Sequence, residues 1–321
     1  MRVDGIGDAL ACTPLVAALR DAGHELGALL SLRNRDAFAG RTFARVHVVE
    51  RIPWPRHGMT AESEAQALSE ARAANYDVAL VASEEPDAYA FAKRAAIPER
   101  VGFFNGWEKP LKTLMARGML TRALYRPASA GRASEHEVET LFRLGEGLHA
   151  ESGPTRNLAR LRPLILDAEP TKHGAIAVQL NPKFIASGVD IAAFAAIAQE
   201  LERRSLPTLA MSDDDDFGSA FAARAGTSYV HPASVTQWKN LLAGAPAVVT
   251  PDSGAAHVAG MLGVPAVVLF PRGAEAARDV MRWRPWAAPS RAIVVDDPQQ
   301  LAAQVARGLE ALLAGEEDAL R

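Results

Sequence analysis

Along the second half of the chain, short apolar runs alternate with stretches in which apolar residues recur every three or four positions. Ala175–Leu180, Thr208–Met211, Ala247–Thr250, Ala266–Phe270 and Ala292–Val295 are bounded by turn or charged residues, the pattern of strands buried on both faces of a parallel sheet. Between them, Ile191–Arg204, Phe217–Ala225, Ser234–Leu242 and Gly254–Leu262 have helical length and spacing. Pro298–Leu313 reads as a closing helix with Pro298 in its first turn. The first half carries strand-like Val46–Val49 and Val78–Ala82 and helix-like Thr60–Ala74 and Glu135–Leu148. Pro163 and Pro170 flank polar residues and mark a seam near Arg162–His173. Strand, crossover helix and strand at this pitch predict an α/β protein of two αβα domains, 1–165 and 166–321, separated by a cleft.

Composition removes several alternatives. The 321 residues suffice for two domains, and 49% hydrophobic with 23% charged is an ordinary globular balance. The single cysteine, Cys12, excludes a disulfide within the chain and a cysteine-built metal cluster. A formal charge of −3 argues against a nucleic-acid binder. No run of 18 apolar residues occurs, and Asp4 and Asp8 interrupt the position of a signal peptide's apolar core, so a cytoplasmic location is the expectation. Charge is uneven: residues 1–165 hold 22 basic and 20 acidic side chains, against 13 and 18 in 166–321. Nine basic residues crowd into 93–132, against only Glu99 and Glu108, and they interleave with Phe103, Phe104, Trp107, Leu111 and Leu114. Such a stretch is either a solvated face over core residues or a surface for an anionic, partly lipidic partner. The second alternative predicts peripheral contact with an anionic membrane through Lys109, Lys112 and Arg117.

Chemistry concentrates at a few turns. Thr250-Pro-Asp-Ser-Gly-Ala-Ala-His257 links a strand to a helix. Asp252 or Ser253 can cap that helix, and the amides of Ser253, Gly254 and Ala255 would face the carboxyl ends of the strands, where α/β sheets bind phosphates. The plainer alternative is a capped turn with His257 in the core. Gly5-Ile-Gly7-Asp8 offers a loop able to approach a ligand, followed by Thr13-Pro14. Either Thr13 caps a helix with Pro14 at its first position, or the helix begins at Asp8 and contains Pro14. Asp8 is then either a cap or a carboxylate aimed at the cleft. This loop lacks the third glycine of a dinucleotide fingerprint. The run Asp213–Asp216 precedes a helix, so its carboxylates either cap it or meet the ribose of a nucleotide. Lys183, after Asn181-Pro182, is either a solvated lysine or a point charge for a phosphate.

Together these stretches resemble the ADP-heptose:lipopolysaccharide heptosyltransferases, glycosyltransferase family nine. Asp4-Gly-Ile-Gly-Asp8 with Thr13-Pro14 and Ala18-Leu19-Arg20 is similar to that family's first motif. Trp238–Phe270, with Asp252-Ser-Gly-Ala-Ala-His257 and Leu262-Gly-Val-Pro265, is similar to its second, and His136-Glu-Val138 and Trp283-Arg-Pro-Trp286 also fit. The resemblance implies a GT-B fold of two Rossmann-like domains, the first for acceptor and the second for a nucleotide sugar, with a last helix that often crosses back. It implies that Asp8 is the general base of an inverting, metal-independent transfer from an ADP-sugar to a lipopolysaccharide-type or other surface glycan. The leaving diphosphate would meet Ser253, Gly254 and Ala255, with Asp252, His257, Lys183 and one of Asp213, Asp214, Asp215 and Asp216 on the donor side. Gly7, Thr13, Lys109, Lys112 and Arg117 would serve the acceptor. No cofactor beyond the donor is implied, and the oligomeric state stays open. The sequence departs from the family in two places. Only Met1–Val3 precede Asp4 where the family usually has a complete strand, so either the true start lies upstream or the first strand is nearly absent, which would loosen the loop holding Asp8. Ser187 and Gly188 stand where it often has a Lys-x-Trp pair. A different GT-B enzyme (a hexosyltransferase or epimerase) and a non-catalytic glycan- or nucleotide-binding member are the alternatives.

Overall fold

Short apolar runs in the first half form two separate parallel ladders joined by the extreme N-terminal residues. The computed structural model describes residues 1–52, 58–127 and 135–315. Strand β1 (Gly27–Ser31) pairs with β2 (Arg45–Val49), Gly27 opposite Arg45. The two-residue strands β3 (Arg51–Ile52) and β4 (Gly58–Met59) pair antiparallel. β5 (Val78–Val81), β6 (Glu99–Phe104) and β7 (Arg122–Tyr125) form the second parallel ladder in that order. Met1–Val3 lies between β1 and β5 without being a regular strand. The Arg2 amide donates to Leu29 O at 3.0 Å, the Met1 amine to Leu80 O at 2.8 Å, and the Ala82 and Ser83 amides to Met1 O at 3.0 and 3.2 Å. Three residues therefore stand in for the complete strand that the resemblance implied, and hydrogen bonds on both sides tether them. Beside them a cavity of about 500 Å³ opens between the ladders, lined by Leu15, Leu19, Leu29, Ala79 and Phe91 among others.

The helices of this half are α1 (Ile6–Leu10), α2 (Thr13–Asp21), α3 (Ala61–Ala74), α4 (Pro86–Arg94), α5 (Pro110–Met119) and α6 (Glu137–Phe142). Neither alternative for Pro14 holds as stated: α1 ends before it, Cys12 is the N-cap of α2, and Pro14 lies in the first turn. The helix expected over Glu135–Leu148 is shorter. It tightens to a 3₁₀ turn over Arg143–Gly145, and Gly147 follows with φ +86°, in the left-handed region that ends helices.

The second half forms one six-stranded parallel sheet. After α7 (Leu158–Leu161) come β8 (Ile176–Gln179), α8 (Ile191–Arg203), β9 (Thr208–Met211), α9 (Asp215–Ala225), β10 (Tyr229–Val230) and α10 (Val235–Gly244). Then follow β11 (Val248–Pro251), α11 (Gly254–Leu262), β12 (Ala266–Pro271), α12 (Ala276–Trp283), β13 (Ser290–Val295) and α13 (Pro298–Leu313). The strand order β10-β9-β8-β11-β12-β13 is that of a doubly wound nucleotide-binding fold, with its topological switch between β8 and β11. Asp190, Asp214, Ser234, Ser253 and Asp297 cap helices with their side chains, which explains where the connections turn. α13 lies on α8 and β13.

The chain divides into Met1–Thr155 and Arg156–Arg321, ten residues before the expected boundary after residue 165. The reason is visible in the connecting residues. The Arg156 guanidinium sits 3.9 Å from the Trp286 ring centroid, Arg162 Nε donates to Leu262 O at 2.9 Å, and buried Lys239 donates to Ile165 O at 2.8 Å. These contacts bind residues 156–165 to the second unit.

α11 also packs where only glycine fits. A Cβ on Gly260 would lie 2.7 Å from Trp286 N and 2.8 Å from Pro285 Cα, both backbone atoms. Gly260→Ala is expected to cost about 1–3 kcal/mol of stability in urea denaturation, the range for overpacking a close contact.

Candidate functional site

At the C-terminal end of β11, the chain turns through Asp252 and enters α11. Ser253 is extended (φ −155°, ψ 177°) and its Oγ accepts the Ala255 amide at 3.3 Å. Thr250 Oγ1, fully buried, meets Ser253 Oγ at 2.9 Å and holds that cap in place. The Ala256 amide bonds to Ser253 O, while the Asp252 amide reaches Leu269 O at 2.9 Å. Among the described residues, the amides of Ser253 and Gly254 find no acceptor. Of the three amides expected to face a ligand, Ala255's is thus engaged by its own cap, and Ser253 and Gly254 supply the open pair. Both residues are half-buried. The positive end of α11 and two unpaired donors beside the β8/β11 switch form a ready anion site.

Neighbouring candidates divide by their partners. Asp214 caps α9, its Oδ1 accepting the Phe217 amide at 2.9 Å. Asp215 is committed to Tyr229 and His231, at 2.8 and 2.7 Å, and those hydrogen bonds hold its carboxyl below the usual carboxylate range. Asp213 is exposed and makes no hydrogen bond or ion pair with the described residues. The backbone of Lys183 lies on the 3₁₀ turn Pro182–Ser187, directly after β8. His257 is buried on α11 and packs edge-on against Trp283, ring centroids 5.7 Å apart. Trp238 Nε1 donates to Gln179 Oε1 at 2.7 Å, joining α10 to the end of β8.

In the first unit Asp8 is the third residue of α1. Its Oδ2 accepts the Gly5 amide at 3.1 Å, so it does cap, and its Oδ1 accepts from Arg2 Nη2 at 2.8 Å. The side chain remains 32% exposed, which leaves the carboxylate reachable while two bonds fix its direction. Arg2 is buried and also pairs with Asp4 through Nε at 3.0 Å, with Glu137 at 3.8 Å and with the Ala82 carbonyl. Burial opposes charge on this guanidinium, but Asp8, Asp4 and Glu137 outweigh it and raise its pKa. Asn34 secures the loop from β1, donating to Arg2 O at 3.0 Å and Asp4 O at 3.2 Å. Burial pushes the Asp4 carboxyl up, against the pull of Arg2.

The remaining acceptor-side candidates separate. Thr13 is fully buried and its hydroxyl donates to Leu10 O at 2.6 Å, so it locks the α1–α2 junction and cannot meet an acceptor. Gly7 is buried within α1. Lys109 is exposed at the start of α5, Lys112 pairs with Glu84 at 2.6 Å, and Arg117 lies 4.8 Å over the Phe104 ring. Trp107, Leu111, Leu114 and Met115 are 95%, 78%, 71% and 46% exposed. Arg132 lies outside the described residues. Sequence reasoning missed Arg2, Asn34 and Glu137 as partners of the Asp8 loop. Only Glu137 had a signal, its place in His136-Glu-Val138. Among the described residues no three His, Cys, Asp or Glu side chains converge in a metal-binding arrangement, and no helix is long and apolar enough to cross a membrane.

Comparison with known proteins bears on this geometry. The model of the family described as glycosyltransferase family 9 (heptosyltransferase) matches residues 66–307. No curated protein matches the sequence significantly. Among solved structures, the glycosyl transferase family 9 protein from Veillonella parvula superposes with a TM-score of 0.70 at 15% identity, covering 98% of this chain and 95% of that one. The E. coli heptosyltransferase WaaC with ADP gives 0.70 at 16%, covering 98% of each chain. E. coli ADP-heptose lps heptosyltransferase II gives 0.67 at 18%, covering 98% and 99%. At these identities the likeness shows the fold, GT-B.

Proposed function

This chain belongs to glycosyltransferase family 9, and we propose that it moves a heptose or related sugar from an ADP-sugar to a lipopolysaccharide-type or other surface glycan, with inversion. The observation that carries this reading is the pair of open amides, Ser253 and Gly254, at the switch point of the second sheet. Two aligned donors and a helix dipole suit a diphosphate whose charge grows as the sugar leaves. Lys183 is assigned to the phosphates, and the ribose hydroxyls to Asp213, exposed and without a hydrogen bond or ion pair to the described residues, as Asp216 also is. Asp252 and the loop it begins hold the sugar. ADP is chosen as the donor nucleotide because the E. coli neighbour carries it.

Asp8 accepts the proton of the acceptor hydroxyl as that oxygen attacks the anomeric carbon. The bond from that carbon to the diphosphate oxygen breaks, and the electron pair leaves with ADP onto the amides of α11. No metal is required in this scheme, because the fixed dipoles carry the developing charge. Removal of divalent metal by a chelator is accordingly outside the mechanism.

The acceptor reaches the protein at a membrane surface. On α5, Leu111, Leu114 and Met115 fall on one face by their three- and four-residue spacing, one turn beyond Trp107, with Lys109 and Arg117 alongside. An exposed apolar stripe with flanking cations fits an anionic bilayer interface. The variant Leu111→Asp/Leu114→Asp is expected to reduce co-sedimentation with vesicles containing anionic phosphatidylglycerol about tenfold or more at low salt. Binding that persists in this variant contradicts the assignment.

The test of the function is a donor screen with product analysis, using ADP-, UDP-, GDP- and TDP-sugars against purified lipopolysaccharide cores. ADP release and an inverted glycosidic product from ADP-heptose are expected. Turnover confined to a UDP-hexose would replace the donor assignment with the hexosyltransferase alternative.

A further inference from the structure

A line of alternating charges crosses the interior of the first unit. Lys112 Nζ on α5 lies 2.6 Å from Glu84 Oε2, and Glu84 Oε1 lies 3.0 Å from Arg126 Nε. Arg126 Nη2 is 2.9 Å from Glu137 Oε2, Glu137 Oε1 is 3.8 Å from Arg2 Nη1, and Arg2 Nη2 is 2.8 Å from Asp8 Oδ1. The side chains of Arg2, Arg126 and Glu137 are 8%, 6% and 1% exposed. Apolar residues at such sites would generally serve stability as well or better. The arrangement therefore calls for an account beyond holding the fold.

We propose that Glu137, acting through Arg2, is a positioning residue that fixes the orientation of Asp8. The inference rests on the reading of Asp8 as the general base. Arg2 reaches Asp8 with one arm of its guanidinium and Glu137 with the other. Glu137 thereby holds the guanidinium from α6, so Asp8 keeps the direction Arg2 gives it. Arg126 holds Glu137 in place from behind. The charged and titratable groups facing Asp8 are Arg2, Asp4, the Cys12 thiol and Glu137, with Arg126 and Glu84 behind Glu137. Burial pushes the Glu137 carboxyl up, while Arg126 and then Arg2 oppose it. Burial acts the same way on Glu84, but Arg126 and Lys112 outweigh it and hold that carboxyl below its usual range.

The test is steady-state kinetics of the full chain with ADP-heptose and a lipopolysaccharide core. In Glu137→Gln the kcat is expected to fall about tenfold while KM for ADP-heptose stays within about twofold, the signature of a misplaced base rather than lost donor binding. Glu137→Asp, which keeps a carboxylate toward Arg2, is expected to stay within about threefold of the parent kcat. Glu84→Gln, which removes the other carboxylate on Arg126, lowers kcat in the same direction by less. An unchanged kcat in folded Glu137→Gln overturns the proposal. If that variant does not fold, an unchanged kcat in Glu84→Gln overturns it. Retained turnover in Asp8→Asn would instead remove the base assignment, an outcome separate from either variant.

Discussion

Asp8→Asn is expected to lower turnover by about 1000-fold while leaving calorimetric ADP affinity within about twofold of the parent chain, the signature of a lost general base. The amide side chain is close in shape to the carboxylate it replaces. Its oxygen can still accept the Gly5 amide, now at 3.1 Å from Asp8 Oδ2, so α1 keeps its cap. Arg2 retains Asp4 and Glu137 as partners, so the buried guanidinium is not left uncompensated. What disappears is the ability to take a proton from the acceptor hydroxyl. ADP release from ADP-heptose with a lipopolysaccharide core measures it, and unchanged turnover would remove Asp8 from the mechanism.

The second large effect comes from a substitution that deletes one backbone N–H. Gly254 is the first residue of α11, and Ser253 before it is already extended. Proline is tolerated at that helical position, and it demands an extended residue before it. Gly254→Pro is therefore expected to keep the fold, with stability in urea within about 1 kcal/mol of the parent. It removes one of the two amides assigned to the diphosphate, a charge-assisted hydrogen bond of about 1.5–3 kcal/mol. ADP affinity should fall about 10- to 100-fold by calorimetry. An unchanged affinity would move the diphosphate away from α11.

The second half of the fold was legible because its strands are buried on both faces. Ile176–Gln179, Val248–Pro251 and Ala266–Phe270 are almost wholly inaccessible, so they read as continuous apolar runs between capped helices. The first half hid more. β6 begins with Glu99 and Arg100 and contains Gly102, where a Cβ would lie 2.9 Å from the Tyr89 ring, so no apolar run marks its start. β7 is a half-buried edge strand beginning at Arg122. α5 inverts the usual pattern, burying only Ala116 while Leu111 and Leu114 face solvent, and a stripe of that kind looks like core from sequence alone.

The site was readable to the same depth. The Thr250–His257 turn announced a capped helix start after a strand, and local capping chemistry is enough to predict open amides there. Which amides stay open depended on the rotamer of Ser253, whose hydroxyl takes the Ala255 amide. Asp8 carried a local signal, but its partners did not. Arg2 meets Glu137 across 135 positions of sequence, and Asn34 returns from β1 to bind Arg2 and Asp4. Such pairings arise from the tertiary fold and leave no periodicity. Thr13 shows the converse: the family resemblance suggested an acceptor contact, yet its hydroxyl is spent on Leu10.

The central claim is that the amide end of α11 receives a nucleoside diphosphate. It is tested most directly by titrating ADP into the purified full chain in a calorimeter, without acceptor or membrane. The account predicts saturable binding of one ADP per chain. An absence of binding heat at millimolar ADP, over a range of temperatures that excludes a coincidental zero enthalpy, would contradict it.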